Sequence, residues 1–107
     1  MAFSVRTAAS YDARFELALK YRLEFAGRTS ARRLLAAQEK AERMLESFPY
    51  LGSPVQRDLE DAAGDVPRWV KVDSYIAVYE TFPAEEVLVF EDLFYPGEDW
   101  RPQEGLS

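Results

Sequence analysis

The sequence contains no cysteine and no histidine. The first absence removes disulfide frameworks, thiolate zinc sites and cysteine nucleophiles. The second removes imidazole bases and imidazole metal ligands, and with them serine–histidine triads and most zinc hydrolase chemistry. No apolar run approaches the roughly 20 residues of a membrane span, and the first residues lack a signal-peptide pattern. A cytoplasmic chain with no membrane contact, no metal and no cofactor is the expectation. Positive charge is also scarce where it would matter for RNA. After Arg57 there are only Arg68, Lys71 and Arg101 against thirteen acidic residues, whereas residues 1–57 hold ten basic and six acidic ones. An acidic second half argues against strong direct nucleic-acid binding, which needs a dense Lys/Arg surface. What is present is apolar: 48% hydrophobic and 14% aromatic in 107 residues, enough for one packed domain without staples.

Residues 2–6 alternate apolar and polar, as a short strand does. From about Ala8 to Phe25 the period becomes helical. Tyr11, Phe15, Ala18 and Arg22 share one stripe, Leu19 and Leu23 lie beside it, and Tyr21 and Phe25 lie near its other edge. Ala26-Gly27 ends this helix. Thr29 or Ser30 is expected to cap a second one, running to about Ser47, with Ala31, Leu34, Leu35, Ala41, Met44, Leu45 and Phe48 as its apolar side. The short break makes the two an antiparallel hairpin. Phe48-Pro49-Tyr50-Leu51-Gly52-Ser53-Pro54 is turn chemistry, and Asp58–Asp65 reads as a loop or one helical turn.

The period then changes to two. Strands are expected at Arg68–Val72, Tyr75–Phe82 and Val87–Phe94, the last opening on the continuously apolar Val87-Leu88-Val89-Phe90 of a central strand. Short turns make these three antiparallel neighbours. The order predicts an α+β fold: an N-terminal strand, then a two-helix hairpin packed on one face of a mainly antiparallel four-stranded sheet. Residues 1–101 form a single domain, and the polar residues 102–107 are expected to fray.

The opening Phe3-Ser4-Val5-Arg6, the helical hairpin, the Phe48–Gly52 turn, Tyr75-Ile76-Ala77-Val78-Tyr79 and the Leu93-Phe94-Tyr95-Pro96-Gly97-Glu98-Asp99-Trp100-Arg101 segment together resemble the RelE/ParE superfamily of bacterial toxins. The ParE (plasmid-stabilisation) branch fits best. The resemblance implies the toxin of a type II toxin–antitoxin pair, silenced by a cognate antitoxin. RelE-type members cleave mRNA on the ribosome, and ParE-type members poison DNA gyrase.

The residues disfavour the first activity and are compatible with the second, which needs no catalytic group in the toxin. Metal-independent RNA cleavage needs a base, a cation for the phosphorane and an acid. Only Arg68, Lys71 and Tyr95 are available, and Arg68 and Lys71, three apart on a strand, face opposite ways. Ile76, Glu98 and Asp99 stand where the family favours basic residues, and Glu91 and Asp92 add repulsion toward phosphate. A ribosome-dependent endoribonuclease would require Arg68, Lys71 and Tyr95 to converge. Tyr95 is otherwise expected to pack on Trp100. The paired carboxylates Glu85-Glu86, Glu91-Asp92 and Glu98-Asp99 alternate in facing or lie in turns, so no metal site is read from them. A decayed member that binds its antitoxin without toxicity is a further alternative.

Antitoxin binding needs an apolar groove and an open sheet edge. Tyr21, Phe25 and Trp69 are its aromatic anchors, and Arg22, Arg32 and Arg33 are placed to meet acidic antitoxin residues. The competing assignment for Trp69, Tyr75 and Tyr79 is the core. An isolated chain with an unfilled groove also has a route to homodimers.

Overall fold

In the computed structural model, residues 2–55 and 66–98 are described. The Asp58–Asp65 loop, Trp100 and the 102–107 tail lie outside them. The elements run β1 (Ser4–Thr7), α1 (Ala9–Phe25), α2 (Arg28–Ser47), β2 (Ser53–Pro54), β3 (Arg68–Val72), β4 (Tyr75–Phe82) and β5 (Val87–Phe94). They make one mixed sheet of five strands, ordered β1-β5-β4-β3-β2. The α+β class and the helical hairpin are as expected, and the strand count is corrected from four to five. The added strand is two residues long, pairing Ser53 with Trp69 and Pro54 with Arg68. Pro54 disguised it, since proline is tolerated only where a ladder donor is dispensable, as at an edge.

β1 closes the opposite edge in parallel with β5, matching Val5 to Leu88 and Thr7 to Phe90. A parallel neighbour requires a long crossover, and the helical hairpin lies within it. β5 therefore has a strand on each side, which explains its continuous apolar opening. Between Val78 and Tyr79 the β4–β5 register shifts, so that Val78 faces Asp92 while Tyr79 faces Phe90. Glu91 is the extra residue of this bulge.

Gly27 sits at φ +91 with open space where a Cβ would be, a conformation that glycine adopts cheaply. It ends α1, and its carbonyl already accepts the Ala31 N–H at 3.2 Å. Consequently α2 starts at Arg28 with Gly27 as its N-cap and no side-chain capping bond, not at Thr29 or Ser30.

Both helices cover the same sheet face. Arg68, Val70 and Val72 on β3 register with Tyr79, Ala77 and Tyr75 on β4. With Leu88, Phe90 and Leu93 they form the face under the hairpin. Tyr11 and Ala18 from α1, and Leu34, Ala41 and Leu45 from α2, complete the core. Tyr75 and Tyr79 are core residues. The inner stripe of α2 is Ala31, Leu34, Gln38, Ala41 and Leu45. Leu35, Met44 and Phe48, expected inside, are 45%, 41% and 65% exposed: Leu35 and Met44 lie one residue off that stripe, and Phe48 lies past the end of α2 as its C-cap. Gln38 is buried through the Tyr11 hydroxyl, which donates to its Oε1, while its Nε2 donates to Glu42 at 2.9 Å. Burial drives the Tyr11 hydroxyl pKa well above its ordinary range.

Candidate functional site

α1 carries apolar side chains all round. Its inward positions are Tyr11, Ala18 and Arg22, while Leu17, Tyr21 and Phe25 are 58%, 62% and 68% exposed. These three fall one turn apart, so they line up along one flank of the helix. The Tyr21 and Phe25 rings meet at 4.9 Å between centroids. Across from them stand Tyr95 and Pro96, and between the two walls runs an open groove of about 870 Å³. Arg33 and the Asp73-Ser74 turn close its far end.

Arg22 forms the floor. It is 8% exposed and pairs with Asp73, the first turn residue between β3 and β4. Its Nη1 donates to the Ser30 carbonyl at 3.0 Å, its Nη2 to Ser74 Oγ at 3.2 Å and its Nε to Tyr75 Oη at 3.3 Å. The guanidinium also lies 5.1 Å from the Tyr75 ring centre. Asp73 takes φ +56, a left-handed conformation that aspartate tolerates better than most residues. Hydrogen bonding from Arg22 holds its carboxyl below the usual carboxylate range, against the opposing effect of burial. Arg22, expected to meet a partner's acid, already pairs with an acid of this chain, Asp73.

The second wall is fixed by Arg14. Its Nη2 donates to both Glu98 carboxylate oxygens at 2.8 Å, and its guanidinium carbon stands 4.6 Å from the Tyr95 ring centre. Tyr95 donates its hydroxyl to the Arg14 carbonyl at 3.1 Å and meets Tyr75 edge-on at 5.8 Å. The Tyr95 N–H donates to Glu98 at 2.9 Å. Arg14 is the largest cause of a Glu98 carboxyl pKa below its ordinary value. Glu98, expected to repel phosphate, is thus neutralised by a residue that sequence reading had passed over. Nothing in the sequence marks the pair, which spans 84 positions.

Arg68, Lys71 and Tyr95 do not converge. Arg68 lies on the helix-covered face, opposite Tyr79, whereas Lys71 lies on the uncovered face, opposite Ile76. Tyr95 sits against Tyr75, four residues along β4 from Tyr79, which is about 13 Å of strand. Arg68 is 9% exposed and holds the turn between α2 and β2. Its Nη1 donates to the Gly52 carbonyl at 2.8 Å, while its Nε has no hydrogen-bond partner among the described residues. Tyr79 completes the clamp by accepting from the Gly52 N–H and donating to the Pro49 carbonyl, both at 2.9 Å. A Cβ on Gly52 would come within 2.7 Å of the Trp69 carbonyl and the Tyr79 hydroxyl, so the glycine is required there by space.

Of the expected anchors, Tyr21, Phe25 and Arg33 share the groove above Arg22. Arg32 lies on the other flank of the hairpin, beside Leu19, Leu23, Arg28, Ala31 and Leu35. Trp69 is half-buried on the uncovered sheet face, opposite Val78, and is not part of the core.

No family model matches the sequence, and no curated sequence matches it significantly. Solved structures do match its fold. A chain of the chromosomal ParDE TA system from P. aeruginosa superposes with a TM-score of 0.65 at 9% identity, covering 89% of this chain and 97% of that one. A chain of the toxin–antitoxin complex RelBE2 from Mycobacterium tuberculosis does so with a TM-score of 0.60 at 16% identity, covering 89% and 99%. At such identities the likeness is one of fold. The chain has the fold found in these two toxin–antitoxin systems, over nearly its whole described length.

Proposed function

We propose that this chain is the toxin of a type II toxin–antitoxin pair. In this reading a cognate antitoxin neutralises it by laying an apolar segment into the α1 groove, anchored by Tyr21 and Phe25 and flanked by Arg33. The observation that carries the proposal is that groove, a wall of exposed aromatic side chains on a helix whose other side is core. A row of exposed apolar residues costs solubility and marks an interface, and the fold is shared with chains of two toxin–antitoxin systems.

The toxin's target is DNA gyrase in the cytoplasm. Supporting this over mRNA cleavage is the dispersal of Arg68, Lys71 and Tyr95: one clamps a turn, one lies on the far face, and one braces the groove. Poisoning a protein target requires a complementary surface, and no proton-transfer group in the toxin. The test is tightly controlled expression of this chain alone in a bacterial host. The expected result is growth arrest with loss of plasmid supercoiling and intact mRNA. Codon-specific mRNA cleavage would move the reading to a ribosome-dependent endoribonuclease. Unimpaired growth at verified protein levels would reduce it to a decayed member whose remaining property is antitoxin binding.

A further inference from the structure

The sheet face turned away from the helices has no described element on it, yet its composition is not that of a face left to water. An antiparallel sheet with one solvated side alternates apolar residues inward and polar ones outward. β4 and β5 break that rule. Between the buried Tyr75, Ala77 and Tyr79, β4 turns Ile76 and Val78 outward, and it ends on Phe82, which is 39% exposed. β5 turns out Val87, Val89 and Phe94, with Phe94 beside Ile76 and Val87 beside Phe82. An apolar patch spread over adjacent strands marks a contact surface.

The charges around this patch are balanced, unlike those of the whole chain, whose net charge is −6. Arg6 lies on one side of Val89 and Glu80 on the other. Lys71 lies beside Ile76. Burial, and then the nearby Glu80 carboxylate, raise the carboxyl pKa of Glu91, the bulge residue. Asp92, opposite Val78, has Arg14 at 4.0 Å. Arg6 and Lys71 against Glu80 and Glu91 remain, and none of the four has an ion pair among the described residues. Distance keeps opposite signs apart within one chain. Arg6 and Glu80 are two strands apart, about 10 Å, and Lys71 is four residues of β4 from Glu80, about 13 Å.

Val78 lies between the two ends of that second separation. Lys71 is level with Ile76, two residues to one side of Val78 on the same face, and Glu80 is two residues to the other side. A two-fold axis through Val78 exchanges the sides, so it carries Lys71 of one copy over Glu80 of the other, and does so twice. We propose that this face is where two copies of the chain meet, sheet against sheet about such an axis. Ile76, Val78, Val89 and Phe94 form the dry centre, and Lys71 of each copy pairs with Glu80 of the other. Two sheets packed this way stand about 10 Å apart, a gap that side chains of this size fill. A face of interleaved, balanced charge selects no strongly acidic or basic partner, whereas it complements its own rotated copy. The surface lies across the sheet from the α1 groove and does not depend on the toxin reading.

Sedimentation velocity of the full chain over a concentration series is the measurement, and a reversible monomer–dimer equilibrium is the expected result. Lys71→Glu and Glu80→Lys should each weaken the dimer about tenfold or more, since each sets like charges opposite one another. An equimolar mixture of these two variants should recover it, because each copy then meets the opposite sign at both contacts. Glu91→Gln removes an acid close to the axis and should tighten the dimer. Tyr21→Ser should leave it unchanged, which separates this face from the α1 groove. Should Glu80→Lys lose its fold by circular dichroism, Val78→Lys replaces it and should abolish the dimer. The proposal is overturned by a chain that stays monomeric up to its solubility limit, or by a dimer indifferent to Lys71→Glu. A mixture of folded variants that recovers nothing, or a dimer that Tyr21→Ser dissolves, would overturn it as well.

Discussion

Helices α1 and α2 lie side by side on the same sheet face, yet they divide their residues differently. α2 is an ordinary surface helix: Ala31, Leu34, Gln38, Ala41 and Leu45 point inward, and Glu39, Lys40 and Arg43 are exposed. α1 buries Tyr11 and Ala18 and then exposes Leu17, Tyr21, Leu23 and Phe25 on two opposite flanks. Burial alone would not select that second set. The contrast teaches that α2 secures the fold and α1 offers the surface, with Arg22 as the one α1 residue that locks the helix to the β3–β4 turn.

Truncation in α2 should give the largest effect. Leu34 is fully buried, so Leu34→Ala is expected to cost about 2–5 kcal/mol of stability in urea unfolding. A loss well under that would break the division of labour. Next comes Arg22→Met. It strands the Asp73 carboxylate and leaves the Ser30 carbonyl and the Tyr75 hydroxyl without their donor. Because Asp73 is partly exposed, the cost is about 2–3 kcal/mol, below that of breaking a fully buried pair.

The same pair sets an acid limb. The folded carboxyl pKa of Asp73 lies below its unfolded value, so its contribution is complete above about pH 4 and is lost as pH falls through the folded pKa. Stability measured from about pH 6 to about pH 2 should fall less steeply in Arg22→Met than in the parent chain. Parallel curves would exclude Asp73 as a source of that limb.

The smaller effects sharpen the comparison from the other side. Arg28→Glu replaces a cation with an anion at the start of α2 and should raise stability by about 0.3–1 kcal/mol at low salt. The gain should shrink as salt is added. Tyr21→Ser, on the exposed flank of α1, should move stability by no more than about 0.5 kcal/mol. Under the proposed function it should nevertheless reduce neutralisation by a cognate antitoxin in a growth-rescue assay. A stability loss comparable to that of Leu34→Ala would place Tyr21 in the core and remove the groove's main anchor.

Much of the fold was legible because the signals were local. The change from a 3.6-residue to a two-residue period separates hairpin from sheet, and the bounds of β3, β4 and β5 follow from alternation and turn residues. Tyr21 and Phe25 stood out because they are apolar at positions the inner stripe does not use. What escaped were relations between distant residues. The guanidinium of Arg22 was read as free for a partner, yet Asp73, 51 positions away, claims it. Arg68, named only as one of the three groups a ribonuclease would need, clamps a turn, because the β3–β4 register places it beside Tyr79 under the hairpin. Arg14 gave no signal at all until Glu98 was brought to it.

By itself the sequence determined the element order, the antiparallel β3–β4–β5 run, the absence of imidazole and thiol chemistry, and the charge division between the two halves. Each depends on neighbours in the chain or on composition. Only the tertiary structure decided which cations are spent internally, that β1 runs parallel to β5, and that α1 presents grooves on both flanks. Those outcomes depend on which residues the sheet register and the hairpin packing bring together, and no local period encodes them.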